Sequence, residues 1–325
     1  MKPSIKTIAE HLGVSKTTVS FVLNGRGNEM NISAETQRRV LDTARKLNYV
    51  PNHLARSLSM GRSYTLGFVV PDISNPFFGK IARLVEYYAE QRGYSVMVAS
   101  KDERADKQEA ILDAFAKRQI DGVIIAPCAP LDKSAMIPTV CFDRLFTDSS
   151  PAALTINNTE TAFALTENLV KKGCRHIGLL QLSAFLPTIQ DRVRGYKEAL
   201  KKHGMAADAS LMQELDGKEL KAGVLKAMHH FFSLPHPPDG ILFLNNVMTA
   251  HALWAVNKYY PLAVDKLHFA TFDNLDLFDY AYPRVVSALQ PGREIAHDCV
   301  ELLCKQIEDG KVPVNRCYSS KIIDR

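Results

Sequence analysis

The chain has 325 residues, about twice a typical single domain, and 46% are hydrophobic, so it can bury a substantial core and is not a disordered chain. Its net charge of +5 is unevenly spread: residues 1–62 hold ten Lys/Arg and four acids, while the remaining 263 residues sum to −1. A polyanionic partner for the first fifth of the chain is the sharp reading of that excess, and a solvated basic surface the plain one.

In chain order, the spacing of Ile5, Ile8, Ala9 and Leu12 predicts a helix over 5–12 that ends at Gly13. A second helix follows a three-residue turn, with Ser15 as its N-cap and Gly25 as its stop. Thr18, Val19, Val22 and Leu23 fall on one side of it. Lys16, Thr17, Ser20, Phe21 and Asn24 fall on the other: small hydrogen-bonding groups, one cation and one bare aromatic. A polar loop, Arg26–Asn31, leads to a third helix opened by Ser33, with Val40, Ala44 and Leu47 on one face. Helix, glycine-containing turn, helix is the helix-turn-helix arrangement. Pro51–Gly61 then carries Leu54, Ala55 and Leu58 at helical spacing. A helix that short is not stable alone, which makes this stretch a candidate switchable hinge.

From Leu66 short apolar runs alternate with amphipathic helices: LGFVV, helix 77–92, YSVMVAS, helix 104–118, DGVIIAP, TVCF. A second set follows: helix 160–172, HIGLLQL, helix 191–203, helix 219–233, GILFL, helix 247–258, HFATF, VVSAL, helix 292–309. This is the βαβ grammar of a parallel sheet with helices on both faces. IDGVIIAP (120–127) and PDGILFLN (238–245) hold similar places in the two sets, which points to two related α/β lobes with a cleft between them.

Ligands of open α/β sheets bind outside the carboxyl ends of the strands. Here those ends are polar: Asp72 after LGFVVP, Asp143–Arg144 after TVCF, Asn245–Asn246 after ILFL, and Asp273–Asn274 after HFATF. Carboxylates and amides that grip adjacent hydroxyls suit a polyol, with Arg192 facing the same cleft, although Asp and Asn also favour strand-end turns for their own sake. Six scattered cysteines (Cys128, Cys141, Cys174, Cys299, Cys304, Cys317) form no CxxC, so buried free thiols in a reducing cytosol are expected, without disulfides or a metal. No GxGxxG, P-loop, GxSxG or HExxH is present, no cofactor is implied, and no run approaches a membrane span. The N-terminal MKPSIKTIAEHLG lacks the apolar stretch of a secretory signal, so a cytoplasmic protein is expected.

The stretches IKTIAEHLGVSKTTVSFVLNG, LNYVPNHLARSLSMGRSYTLGFVVPDISNPFF, DRVRGYKEAL and TFDN resemble the lactose-repressor (LacI/GalR) family of bacterial transcription regulators, over essentially the whole length. The resemblance implies an N-terminal all-α helix-turn-helix headpiece over 1–50, a hinge helix and linker over 51–62, and a two-lobed, periplasmic-binding-protein-like α/β effector domain over 63–325. Under it Lys16, Thr17 and Ser20 match base-reading positions, and Asn24 and Tyr49 match contacts to the DNA backbone. Thr7, Ser15 and Asn52 complete the expected DNA-facing set. Phe21 departs from relatives that carry Arg there and suits a thymine methyl. Leu58 matches the hinge leucine that wedges into the minor groove, and Ala55 its close-packed partner.

In the cleft the resemblance assigns Asp143, Arg192, Asn245 and Asp273 to effector contacts, with Phe77 and Thr188 beside them; Asp72 and Arg144 join the set. Asn246 replaces an Asp frequent in the family, and Lys218 stands where an aromatic often stacks on the ligand, which suits a phosphorylated or acidic effector. The long loop Arg26–Asn31 resembles the fructose/sucrose-repressor branch. The expected protein is a homodimeric repressor of carbohydrate-utilisation genes that binds double-stranded operator DNA and is controlled by a sugar or sugar phosphate. Tetramers are not expected, for want of a heptad tail. The rivals are a sugar-binding protein of the periplasmic type without regulatory role and a sugar-processing enzyme.

Overall fold

The computed structural model describes residues 3–49, 61–131, 137–146, 152–182, 185–310 and 314–325. The chain forms two compact units, Met1–Ser63 and Tyr64–Arg325.

The first unit holds three helices, α1 (Ile5–Leu12), α2 (Lys16–Leu23) and α3 (Ala34–Lys46). Ser4, Ser15 and Ser33 cap them, each accepting the backbone N–H three residues on. The caps satisfy donors that a helix start otherwise leaves open. Gly13, at φ 66°, closes α1 in the left-handed conformation and makes the tight turn into α2. Ile8, Ala9, Val19, Val22, Val40 and Ala44 form the core. Leu23 packs against it half-buried, but Thr18, expected on this packed face, uses its hydroxyl to pair with Ser15 Oγ at 2.8 Å.

The second unit contains two six-stranded sheets. In the first lobe β1 (Thr65–Val70), β2 (Ser95–Ser100), β3 (Gly122–Ile125), β4 (Thr139–Phe142), β5 (Ala153–Ile156) and β11 (Asn315–Tyr318) lie in the order β11-β5-β4-β3-β1-β2, all parallel. In the second lobe β6 (Ile177–Gln181), β7 (Met212–Glu214), β8 (Gly240–Phe243), β9 (His268–Phe272), β10 (Val285–Leu289) and β12 (Lys321–Ile323) lie in the order β12-β10-β9-β8-β6-β7. Only β12 is antiparallel to its neighbour. The two orders are the same doubly wound pattern repeated, with IDGVIIAP and PDGILFLN supplying β3 and β8. Around the sheets pack α4 (Pro76–Gln91), α5 (Ala105–Lys117), α6 (Asn158–Lys171), α7 (Pro187–Lys202), α8 (Leu220–Ser233), α9 (Asn246–Tyr259) and α10 (Gly292–Asp309).

Three differences from the sequence expectation bear on function. First, the helix expected over 191–203 opens at Pro187, because proline fits a first turn that needs no N–H, and Arg192 therefore sits in its second turn. Second, β5, β7, β11 and β12 are three or four residues long and lack the long apolar runs that marked the other strands. Third, Cys317 lies exposed on β11, while the other five cysteines are buried thiols. The expected hinge helix, with Asn52, Ala55 and Leu58, lies outside the described residues.

Candidate functional site

In the first unit α2 turns Val19 and Val22 inward and presents Lys16 and Thr17 to solvent. Ser20, Phe21 and Asn24 are half-buried on the same outer side, with Asn24 Nδ2 donating to Ser20 Oγ at 3.4 Å. The guanidinium of Arg26 lies 5.6 Å from the Phe21 ring centroid and pairs with Glu29 at 2.9 Å, so the loop after α2 adds a cation beside the aromatic. Gly27 leaves room there for Gln37: a Cβ would stand 2.5 Å from Gln37 Cδ and displace that side chain, whose amide donates to Asn28 Oδ1 and Ile32 O. Ser15 and Thr7 are exposed, with hydroxyls in the caps of α2 and α1, and Tyr49 packs half-buried against the core. The result is a short helix with short side chains and one lysine outward, a shape that lets backbone approach base edges.

In the second unit Arg192, Asp273 and Asp143 lie within electrostatic reach of one another. Arg192, 6% exposed, donates from Nε to Asn158 Oδ1 and from Nη1 to Leu244 O, both at 2.7 Å, and stacks 3.9 Å from the Phe272 ring centroid. All these partners are neutral, and no carboxylate among the described residues comes within ion-pair distance. Burial lowers its pKa, opposed by the nearby Asp273 and Asp143. Asp273, 7% exposed at the end of β9, accepts one hydrogen bond at Oδ1, from Gln290 Nε2 at 2.6 Å. Burial pushes its carboxyl up to about 6, against the pull of Arg192 and Gln290. A buried guanidinium and a buried carboxylate thus lie within Coulombic reach without neutralising each other, which is costly unless a ligand completes both.

From the first lobe Asp143 accepts from Arg144 Nε at 3.1 Å, and Arg144 Nη1 donates to Glu103 at 2.7 Å. The fully buried Lys101 donates to the same Glu103 oxygen at 3.3 Å. Burial opposes the charge on Arg144, but Glu103 and Asp143 outweigh it and hold the guanidinium protonated. Glu103 is likewise held below the usual carboxylate range, because Arg144 and Lys101 overcome its burial. Arg144, one of the expected effector contacts, is held by Asp143 and Glu103.

Asn245 caps α9 through Oδ1, which accepts from Val247 N at 2.7 Å, leaving its amide N–H₂ toward other partners. Phe77 and Asp273 line one cavity of about 470 Å³, while Phe78 goes to the core. Thr188 is buried in the first turn of α7. Asp72 is exposed, and both its oxygens accept from Ser74, so it shapes the turn into α4. Gly217–Glu219 form a 3₁₀ turn, and the side chain of Lys218 lies outside the described residues.

Residues 4–52 match the bacterial regulatory proteins of the lacI family. Residues 63–259, more than half of the chain, match the periplasmic binding proteins and sugar binding domain of the LacI family. The chain belongs to the LacI family. The sucrose operon repressor of Klebsiella pneumoniae is 31% identical over 321 residues, covering 95% of this chain and 93% of that protein. The lac repressor dimer bound to operator and the anti-inducer ONPF superposes with a TM-score of 0.84 at 20% identity, covering 100% of this chain and 98% of that one. The Cra regulator of Pseudomonas putida, in complex with fructose 1-phosphate, gives 0.72 at 24% identity, covering 81% and 98%.

Four residues of this LacI-family chain enter the cleft or its support without having been singled out: Lys101, Glu103, Asn158 and Gln290. Each lies just beyond the carboxyl end of a strand, β2, β5 or β10, so the signal that marked Asp143 and Asp273 was present. Asn158 was masked by the brevity of β5. Gln290 meets Asp273, and Glu103 meets Arg144, only through strand pairing within each sheet, which local sequence does not reveal.

Proposed function

We propose that the protein is a sequence-specific, DNA-binding transcriptional repressor of carbohydrate-utilisation genes, acting as a homodimer under the control of a small sugar or sugar phosphate. The observation that carries it is the join, in one chain, of an outward-facing α2 (Lys16, Thr17, Ser20, Phe21) and a cleft whose Arg192 and Asp273 are buried without pairing each other. The family supports the DNA-binding part. The sugar-operon repressors among the relatives and the fructose 1-phosphate complex of Cra support the effector class.

In this reading residues 1–50 are the headpiece, 51–62 the hinge, and 63–325 the effector and dimerisation domain. Lys16, Thr17, Ser20 and Phe21 read base edges, while Asn24 and Tyr49 position the phosphate backbone. Asp273, Arg192, Asn245, Asp143 and Asn158 grip ligand hydroxyls, and Thr188 and Phe77 flank them. Ligand in the cleft changes how the lobes close and hence how the hinge is ordered, a coupling of about 1–3 kcal/mol. The protein turns no sugar over in this reading, which the repressors among its relatives support. No helix among the described residues is long and apolar enough to cross a membrane, and the partners are DNA, effector and a second copy of the chain.

A thermal-shift panel of free and phosphorylated sugars on the purified full chain tests the effector half, because a ligand of the native state raises its melting temperature. A shift that Asp273→Asn abolishes is expected. Selection of genomic fragments by the same protein, followed by anisotropy with a palindromic hit, tests the DNA half. Binding that survives deletion of 1–60 would overturn it.

A further inference from the structure

Arg325 follows β12, whose pairing with β10 (Ile323 opposite Ser287) carries the chain back across the second sheet to the turn after β9. Its side chain is 9% exposed, and Nε donates to Asp279 Oδ1 at 2.6 Å. Nη1 donates to Val285 O at 3.2 Å and to Ser287 Oγ at 2.9 Å, and Nη2 donates to Asn274 Oδ1 at 2.8 Å. Ser287 Oγ donates to that same Asn274 oxygen at 2.8 Å. Asn274 is therefore gripped twice, one residue beyond Asp273.

Asp273 itself has φ 65°, in the left-handed region where aspartate and asparagine are the favoured non-glycine residues. Asp143 in the first lobe has the same φ of 65° and is followed by Arg144, whose guanidinium is fixed on Glu103 and on Asp143 itself. Each lobe thus ends its fourth strand in a left-handed aspartate, next to a residue anchored by or through a buried guanidinium.

We propose that Arg325 is a positioning residue of the effector cleft: by clamping Asn274 it holds the Asp273 carboxylate in place beside Gln290 and within reach of Arg192. The planar fork suits this role, because one guanidinium meets an amide, a hydroxyl, a carbonyl and a carboxylate at fixed angles, which a lysine ammonium does not reproduce. The inference rests on the reading of Asp273 as an effector contact.

The test uses full-length Arg325→Gln and Arg325→Lys beside Asp273→Asn, with fructose 1-phosphate and sucrose as probes. Without any probe, hydrogen exchange over 273–279 is expected to quicken at least tenfold in both Arg325 variants, with α6 and α9 unchanged; wild-type exchange there overturns the clamp. With whichever probe stabilises the wild type, both Arg325 variants are expected to bind at least tenfold more weakly. The acid limb of binding in Arg325→Gln should also move to lower pH as the loosened carboxyl gains solvent, a change that general loss of stability does not produce. Wild-type affinity in the Arg325 variants alongside loss in Asp273→Asn overturns the positioning role and leaves the reading of Asp273 standing. If Asp273→Asn binds like wild type, or neither probe binds, that reading fails and the positioning role with it, while the ligand-free exchange still decides whether Arg325 holds the turn.

Discussion

Asp273 lies buried at the end of β9, with one hydrogen bond among the described residues, from Gln290, and with Arg192 near it but in no ion pair among those residues. Its carboxyl, near 4 in an unfolded chain, stands at about 6 in the fold. The native state therefore holds this proton more tightly than the unfolded state does. Stability from this group is fully present below about pH 4, falls as pH rises toward 6, and is flat above. Ligand hydroxyls donate to the ionised form, so affinity for a neutral sugar should rise between pH 5 and 7. Asp273→Asn should abolish that pH dependence, and its ligand-free form should melt roughly 2–4 °C above the wild type at pH 7.5, by about 1 kcal/mol or more. Calorimetry across that range checks both. The Lys101–Glu103–Arg144 group gives a second contrast. Lys101→Met leaves Glu103 paired with Arg144 and should cost less than about 1 kcal/mol, whereas Glu103→Ala removes the carboxylate of the buried Lys101 and one of the two on Arg144 and should cost about 3–5 kcal/mol in urea denaturation.

Helix α7 carries Arg192, and its seating on α6 depends on Gly195, where a Cβ would run into the Thr159 carbonyl and approach Ala162 Cβ to 2.9 Å. Gly195→Ala should force α7 outward at a cost of about 1–3 kcal/mol and weaken the ligand-induced thermal shift, since Arg192 lies on the preceding turn of the same helix. An unchanged shift with wild-type stability would show that α6 yields instead. In the headpiece, Ser15→Ala removes the α2 cap and should cost about 1 kcal/mol, a large share of what three short helices supply. Operator affinity should fall while the ligand response stays, as anisotropy and thermal shift together will show. Most elements were legible because their apolar positions repeat at the period of one regular structure. Those missed, β5, β7, β11 and β12, are too short to show a period and exist because a neighbouring strand offers them hydrogen bonds.

At the scale of the whole molecule, each unit has its own apolar core, so removing residues 1–60 should abolish operator binding and leave sugar binding and the fold of 64–325 intact. Sedimentation of the full chain is expected to give a dimer, the state in which two α2 helices reach two half-sites about one DNA turn apart.

The chain alone makes legible the helix-turn-helix unit, the two α/β sets and the polar residues at strand ends, because each is written in local periodicity, capping residues and turn chemistry. It also marked Asp143, Asp273 and Arg192 as neighbours of one cleft. Tertiary packing adds that Asp72 accepts from Ser74 in a turn and that Arg144 pairs with both Asp143 and Glu103. It alone brought Gln290, Asn158 and Arg325 to the residues they hold. Those roles depend on contacts between residues tens to scores of positions apart, which the two sheets create when strands far apart in the chain become neighbours.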